Sequence, residues 1–254
     1  MKPAVVDPAS TAVQASTGQA SGLPPAENVL VVTARPGPES AVLGGLLHAF
    51  SRAGARLALL CLTRGEASPV NTTCDRLETV RPWELQLAAG LLGVSSVTVA
   101  DLPDGELRDC PAAELTERVQ RAIARHSPDL IVVVDPAAGD ADDAHLAQAV
   151  CLAAGPAGVP VVARTMPGAR AGWLVNLGQG AEEARAAQRS AAAAHASQSA
   201  TLPEVVRSVD SLGGREQLRW LLSPAMPPPR QPSPATVPAT VPATVPRPAV
   251  PAAP

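Results

Sequence analysis

Between residues 27 and 222 short apolar runs alternate with stretches of helical spacing, and few architectures accommodate that order. Residues 29–33 (Val-Leu-Val-Val-Thr) form a β-branched run, read as a buried strand. Residues 41–53 follow with Val42, Leu43, Leu46, Leu47 and Phe50 on one helical face. The same alternation predicts strands at 56–63, 96–100, 130–134, 159–163 and 172–177. Helices are predicted at 81–92 (closed by Gly93), 112–124, 144–154 and 182–199. Strand and helix in alternation with short connections imply an α/β fold: a Rossmann-like, mainly parallel sheet with helices on both faces. Ligands of such sheets collect in loops at the carboxyl ends of the strands. The loops after Thr33, Thr63 and Val134 are therefore where chemistry is expected.

Composition narrows the function classes. Apolar residues make up 46% of the 254, enough for a core, but aromatics only 2%. The net charge of −3 and the absence of a basic run along the sequence argue against a nucleic-acid partner, and so few aromatics offer no base-stacking platform. No stretch of 18 apolar residues predicts a membrane span, and the first 22 residues lack the apolar core of a secretory signal. A cytoplasmic protein is expected. Cys61, Cys74, Cys110 and Cys151 show neither paired spacing nor a zinc-knuckle pattern and read as reduced thiols.

The two ends differ from the middle. Residues 1–26 are rich in Ala, Ser, Thr and Gln without apolar periodicity, and a disordered arm is expected there. Residues 223–254 carry Pro-Ala-Thr-Val three times between Pro234 and Val245, which predicts an extended, polyproline-like, disordered tail. Such a tail is a passive solubilising segment or a ligand for an aromatic-lined groove on a protein partner.

Five loop motifs fall in order. The first is Ala34-Arg35-Pro36-Gly37-Pro38-Glu39, with Gly44-Gly45 behind it. The second is Leu62-Thr63-Arg64-Gly65-Glu66, followed by Arg81-Pro-Trp-Glu84. Then come Leu102-Pro103-Asp104-Gly105, Asp135-Pro136 with Asp142-Asp-Ala-His145, and Ala194-His195-Ala-Ser197-Gln198. In this order and spacing the chain resembles the LmbE/PIG-L family of zinc-dependent sugar N-deacetylases, which includes mycothiol-pathway deacetylases. The family motifs are A-H-P-D-D-E, L-T-x-G-E with R-x-x-E, L-P-D-G, D-P with H-P-D-H, and A-H-x-S-Q.

The resemblance implies a zinc site and also shows where this chain departs from it. Two family metal-ligand positions hold Arg35 and Pro38, and the general-base position holds Gly37. The third ligand position keeps a histidine, His145, while the position of the oxyanion-stabilising histidine holds Asp142. One ligand of three remains, and neither the base nor the oxyanion partner does. Catalytic zinc needs three protein ligands and an open position for water, and a guanidinium offers no lone pair. No zinc or other cofactor is therefore expected.

The expectation is a deacetylase-like protein that has lost zinc-dependent hydrolysis and binds a small polar, sugar-like or acetylated metabolite, or acts as an interaction protein. The rival is an active N-deacetylase or amidase rebuilt around Glu39, Asp142 and His145. Candidate ligand contacts are Arg35, Glu39, Arg81, Asp142 and His145. Arg35 is expected to substitute its charge for the ion's by pairing with Glu39 or Asp142, or else to lie exposed. Arg81 reads as a grip on a hydroxyl or anion, or as a helix-start partner of Glu84. His145 reads as a remnant ligand or a polar cap. Asp140, Asp142 and Asp143 read as a hard-cation site or a solvated acidic turn, Asp104 as a turn former, and His195 and Gln198 as packing residues without chemistry.

Overall fold

In a computed structural model, the residues whose structure is described are 22–67, 76–165, 172–199 and 209–224. The expectations for the first 21 residues, for the repeats of the tail and for Cys74 lie outside them. All described residues belong to one compact unit of the chain.

The elements run β1 (Asn28–Thr33), α1 (Pro38–Ala41), α2 (Gly44–Arg52), β2 (Arg56–Thr63), α3 (Leu77–Leu91), β3 (Val94–Leu102) and α4 (Ala112–His126). They continue with β4 (Leu130–Val134), α5 (Ala141–Ala157), β5 (Val161–Arg164), β6 (Trp173–Asn176), α6 (Ala181–Ala194), α7 (Ala196–Ser199) and β7 (Arg215–Leu222). The strands form one sheet in the order β3-β2-β1-β4-β5-β7-β6. The first five strands in that order are parallel, β7 is antiparallel to β5, and β6 is antiparallel to β7. The mainly parallel α/β sheet expected from the alternation is present.

Period-two alternation along β1 shows why both faces are covered. Val29 and Val31 point into a core with Leu46, Leu47 and Phe50 of α2 and Leu85 and Ala88 of α3. Leu30 and Val32 point into a second core with Leu115 and Val119 of α4 and Leu146 and Val150 of α5. A strand buried on both faces must be apolar at every position, which is why β1 and β4 read as continuous runs. No helix among the described residues is long and apolar enough to cross a membrane.

The helix predicted over 41–53 begins at Gly44 behind the short α1, the helix predicted over 182–199 breaks at His195 between α6 and α7, and two further elements differ from the sequence expectation. Helix α3 begins at Leu77 rather than at Arg81, with Pro82 inside it. Strand β7 is absent from the sequence reading; it carries Glu216, 1% exposed, into the protein interior. The chain winds outward from β1 through β2 to β3 and returns with β4 on the other side of β1. The crevice at that reversal is bounded by the loops after Thr33 and Val134.

Candidate functional site

The loop after β1 places Arg35 over the start of α5. Its guanidinium meets three carboxylates: Nη1 donates to Asp140 Oδ2 at 2.8 Å, Nε stands 3.3 Å from Asp104 Oδ1, and Nη2 stands 3.5 Å from Asp142 Oδ2. Asp104 and Asp142 are buried. The expected pairing with Asp142 is thus present, whereas Glu39 takes no part and Asp140 and Asp104 join instead. Burial alone would weaken the charge on Arg35, but the hydrogen bond to Asp140 and the nearby Asp104 and Asp143 raise its pKa above the ordinary value, so it stays a cation.

Each of these carboxylates also has a structural task. Asp140 caps α5, its Oδ1 accepting from the backbone N–H of Asp142 (2.9 Å) and Asp143 (3.2 Å). Asp104 accepts from Thr63 Oγ1 at 3.2 Å and from the Ala67 N–H at 3.1 Å, while its own N–H donates to Glu66. It does more than form a turn, since it ties the β3 loop to the β2 loop. Asp142 accepts from the Arg108 N–H at 3.2 Å, and among the described residues its Oδ2 has no hydrogen bond. Asp143 is pushed up to about 6 by burial and by its neighbours Asp140 and Asp142. A shallow hollow of about 270 Å³, lined by Arg35, Gly105, Arg108, Gly139, Asp140 and Asp142, opens above this group.

Glu39 lies elsewhere, fully buried. His195 Nε2 donates to its Oε1 at 2.6 Å, Ser40 Oγ donates to the same oxygen at 2.6 Å, and the Gly37 N–H donates to Oε2 at 2.7 Å. Burial would raise the Glu39 pKa, but the His195 charge and these hydrogen bonds outweigh it and hold the carboxyl below its ordinary value. His195 is therefore more than a packing residue: it pins the first loop from the end of α6. Gln198 is placed likewise, its Nε2 donating to the Pro36 carbonyl at 3.3 Å. It also lies where a Cβ on Gly37 would come within 2.9 Å of its Oε1, and Gly37 has φ +121°. A side chain at this position would be strained twice, by the backbone and by Gln198.

His145 donates from Nε2 to the Cys110 carbonyl at 3.0 Å, which fixes the ring and leaves Nδ1 as the nitrogen with a lone pair. Among the described residues no hydrogen bond joins Glu39, Asp142 and His145 to one another. Arg81 is 1% exposed; its Nη1 donates to the Gly65 carbonyl, while among the described residues Nε and Nη2 have no hydrogen-bond partner. Burial draws its pKa down, against the pull of Asp104 and Glu84. Glu84 is not hydrogen-bonded to Arg81 but accepts from the N–H (2.7 Å) and Oγ (2.6 Å) of Ser197.

Tested against a zinc ion, the donor set does not fit. Among the described residues no three His, Cys, Asp or Glu side chains stand close enough together to hold a metal. Of the ligand positions that the resemblance assigns, the first is a guanidinium committed to three carboxylates, the second is a proline, and only the third, His145, offers a donor atom.

Residues 30–154 match the PIG-L family model, described as GlcNAc-PI de-N-acetylase. The chain carries a PIG-L family domain. No curated protein matches it in sequence. Among solved structures, a conserved protein from Thermus thermophilus is similar at TM-score 0.64 and 21% identity, covering 81% of this chain and 99% of that one. The hydratase of 4-carboxy-2-hydroxymuconate from Pseudomonas putida is similar at TM-score 0.62 and 16% identity, covering 80% and 99%. The N,N'-diacetylchitobiose deacetylase of Pyrococcus horikoshii is similar at TM-score 0.57 and 16% identity, covering 78% and 84%. At these identities the likeness is one of fold. It places the PIG-L domain in an architecture that solved relatives use both as a deacetylase and as a hydratase.

Proposed function

We propose that this PIG-L family protein has given up zinc-dependent hydrolysis and uses its cleft to bind a small polar ligand without turning it over. The observation that carries this reading is the seat of Arg35. A fixed cation at a family metal-ligand position joins the loop after β1 to Asp104 behind β3 and to Asp140 and Asp142 at the start of α5. A positive charge about 4 Å from a dication costs several kcal/mol even at an effective dielectric near 20. Arg35 and a bound zinc ion thus exclude one another at this spot.

The ligand expected is a sugar-like or acetylated metabolite, taken up in the hollow beside Arg35, Arg108, Asp140 and Asp142. Arg81, with two buried guanidinium nitrogens unpartnered, is a second group able to donate to a hydroxyl or an anion. Under the same proposal the protein works in the cytoplasm, and the Pro-Ala-Thr-Val repeat offers a proline-rich ligand to a protein partner.

The test is the metal content of the purified full chain after zinc loading and dialysis, with deacetylation of N-acetylated amino sugars followed on the same sample. Metal far below one ion per chain, with no amine released, is the expected result. Stoichiometric zinc with turnover would sink the proposal and favour the rebuilt hydrolytic site.

A further inference from the structure

We infer that the outer edge of β3 takes up an extended acidic peptide from a partner protein as an additional strand. β3 ends the sheet, and among the described strands only β2 pairs with it. Its nine residues, Val-Ser-Ser-Val-Thr-Val-Ala-Asp-Leu, contain no proline and no basic residue, and Asp101 is their single charge. Sheets normally blunt a long edge strand with lysine, proline or a covering element, because its free N–H and C=O groups template pairing with another chain. This edge lacks both residue types.

What flanks the edge selects the partner. Arg118, Arg121 and Arg125 follow one another at three- and four-residue spacing on α4, so they share a helix face. Together with Arg64 after β2 they line a groove of about 430 Å³ whose floor includes Thr98 and Ala100 of β3. A second hollow, of about 290 Å³, shares Arg125 and continues the groove to Ser96 and Arg56. Asp101 is the single carboxylate among the residues lining the larger hollow. It is held by Arg118 at 3.0 Å, and Arg118 also reaches Glu114 at 3.5 Å. Arg121 stands 3.9 Å from Glu117 with both side chains well exposed, and among the described residues Arg64 and Arg125 make no salt bridge. The positive surplus is local, because the chain as a whole carries −3.

Alternate side chains of an added strand point to the α4 face of the sheet. A peptide with Glu or Asp at every second position would set its carboxylates against the arginine row while its backbone pairs with β3. Other occupants fit less well. A second copy pairing through its own β3 would bring two arginine rows together. The Pro-Ala-Thr-Val repeat has no acidic residue and lacks an N–H at each proline. A single-stranded nucleic acid would find no Phe, Tyr or Trp in the groove, and His126 alone offers a ring on which to stack.

The experiment uses the full chain and a fluorescein-labelled ten-residue peptide alternating glutamate with threonine, with the lysine–threonine peptide and an oligothymidylate of equal charge as comparisons. The glutamate peptide is expected to bind in low salt, to weaken as salt rises, and to slow amide exchange across residues 95–101. R121E/R125E, a charge reversal of two exposed side chains, is expected to weaken it at least tenfold without changing the melting temperature. Failure of the glutamate peptide to bind, binding without protection of the β3 amides, equal binding of the lysine peptide, or tighter binding of the oligothymidylate would each overturn the inference. If the double variant does not fold, the exchange result on the unaltered chain decides.

Discussion

Arg35 braces three segments, joining its own loop to Asp104 behind β3 and to Asp140 and Asp142 at the start of α5. Replacing it with alanine leaves buried Asp104 without its salt-bridge partner and buried Asp142 with only Arg108, 3.9 Å away. Breaking a buried pair costs about 3–5 kcal/mol, and the partial exposure of Arg35 and Asp140 reduces that to about 1–3 kcal/mol. Arg35→Ala is therefore expected to lower the melting temperature by several degrees, on the scale of roughly 2–4 °C per kcal/mol for a domain of this size. An unchanged melting curve would mean that the three contacts contribute nothing. Asp143 gives the pH dependence. Its carboxyl ionises near 3.8 by default and near 6 here, so the folded chain holds this proton more tightly than the unfolded one. The stability it contributes is full below the unfolded value, declines as pH rises toward 6, and is gone above it. Asp143→Asn should remove that slope and add on the order of 1–2 kcal/mol at neutral pH, after allowance for solvent screening. Urea titrations at pH 4.5 and 7.5 on both proteins read this directly, and equal stabilities at pH 7.5 would refute the assignment.

At the level of elements, the motif residues that survive are those that hold one another. Glu39 meets His195, Glu84 meets Ser197, the Pro36 carbonyl meets Gln198, and Thr63 and Glu66 meet Asp104. Among the positions that differ from the family motifs are two that the resemblance assigns as metal ligands, Arg35 and Pro38, with those of the base and the oxyanion partner, Gly37 and Asp142. The glycine pair behind the first loop belongs to the first group. A Cβ on Gly45 would overlap Arg185 Nη1 and come within 2.8 Å of Glu216 Oε1. Arg185 and Glu216 form a buried pair at 2.5 Å, with Arg164 on the other carboxylate oxygen at 2.9 Å. A Cβ on Gly44 would press on the side chain of Gln188, 2.7 Å from its Cγ. Overpacking costs about 1–3 kcal/mol where neighbours can shift, and disturbing a buried ion pair adds to that. Gly45→Ala is thus expected to destabilise by more than about 3 kcal/mol and Gly44→Ala by about 1–2 kcal/mol. Chemical denaturation of the two variants checks the order, and equal losses would show that the triad yields as readily as one glutamine. The sequence alone could not supply this arrangement, because Glu216 sits in the one strand that the apolar pattern does not reveal. Leu218, Trp220 and Leu222 do alternate with Gln217 and Arg219, but Arg215-Glu216-Gln217 at its start reads as a loop. A buried charge is legible only once its partners on β5 and α6 are known.

Across the whole molecule, β1, β2 and β4 are legible because a sheet covered on both faces forces long apolar runs, while β3, β5 and β6 show as shorter or mixed runs. The boundary of α3 is not, because Arg81-Pro82 mimics a helix start, whereas Pro82 lies inside the helix. The site is legible in outline: the loops after β1 and β4 do meet, and Arg35 does reach Asp142. What could not be read is which carboxylates share Arg35, since Asp104 and Asp140 come from elements distant in sequence. The same distance makes β7 the keystone of the sheet. It pairs with β5 and β6, brings Glu216 to Arg164 and Arg185, and sends Arg219 to Asp135 through two hydrogen bonds of 2.9 and 2.5 Å. Asp135 opens the β4 loop and, through this contact and its bond to the Ala137 N–H, is held below the ordinary carboxylate range despite burial. A chain ending at Pro224 keeps every one of these contacts and should melt within about 2 °C of the full chain, less than the effect of about 1 kcal/mol. A chain ending at Ser199 removes β7, takes from β6 its described partner, and strips the carboxylate from two buried arginines. That loss, about 3–5 kcal/mol for the ion pairs alone, is comparable to much of the stability of a small domain. The shorter chain should therefore lack a cooperative thermal transition. Cooperative melting of the chain ending at Ser199 would show instead that the five parallel strands form the folding unit and that β7 is an addition to it.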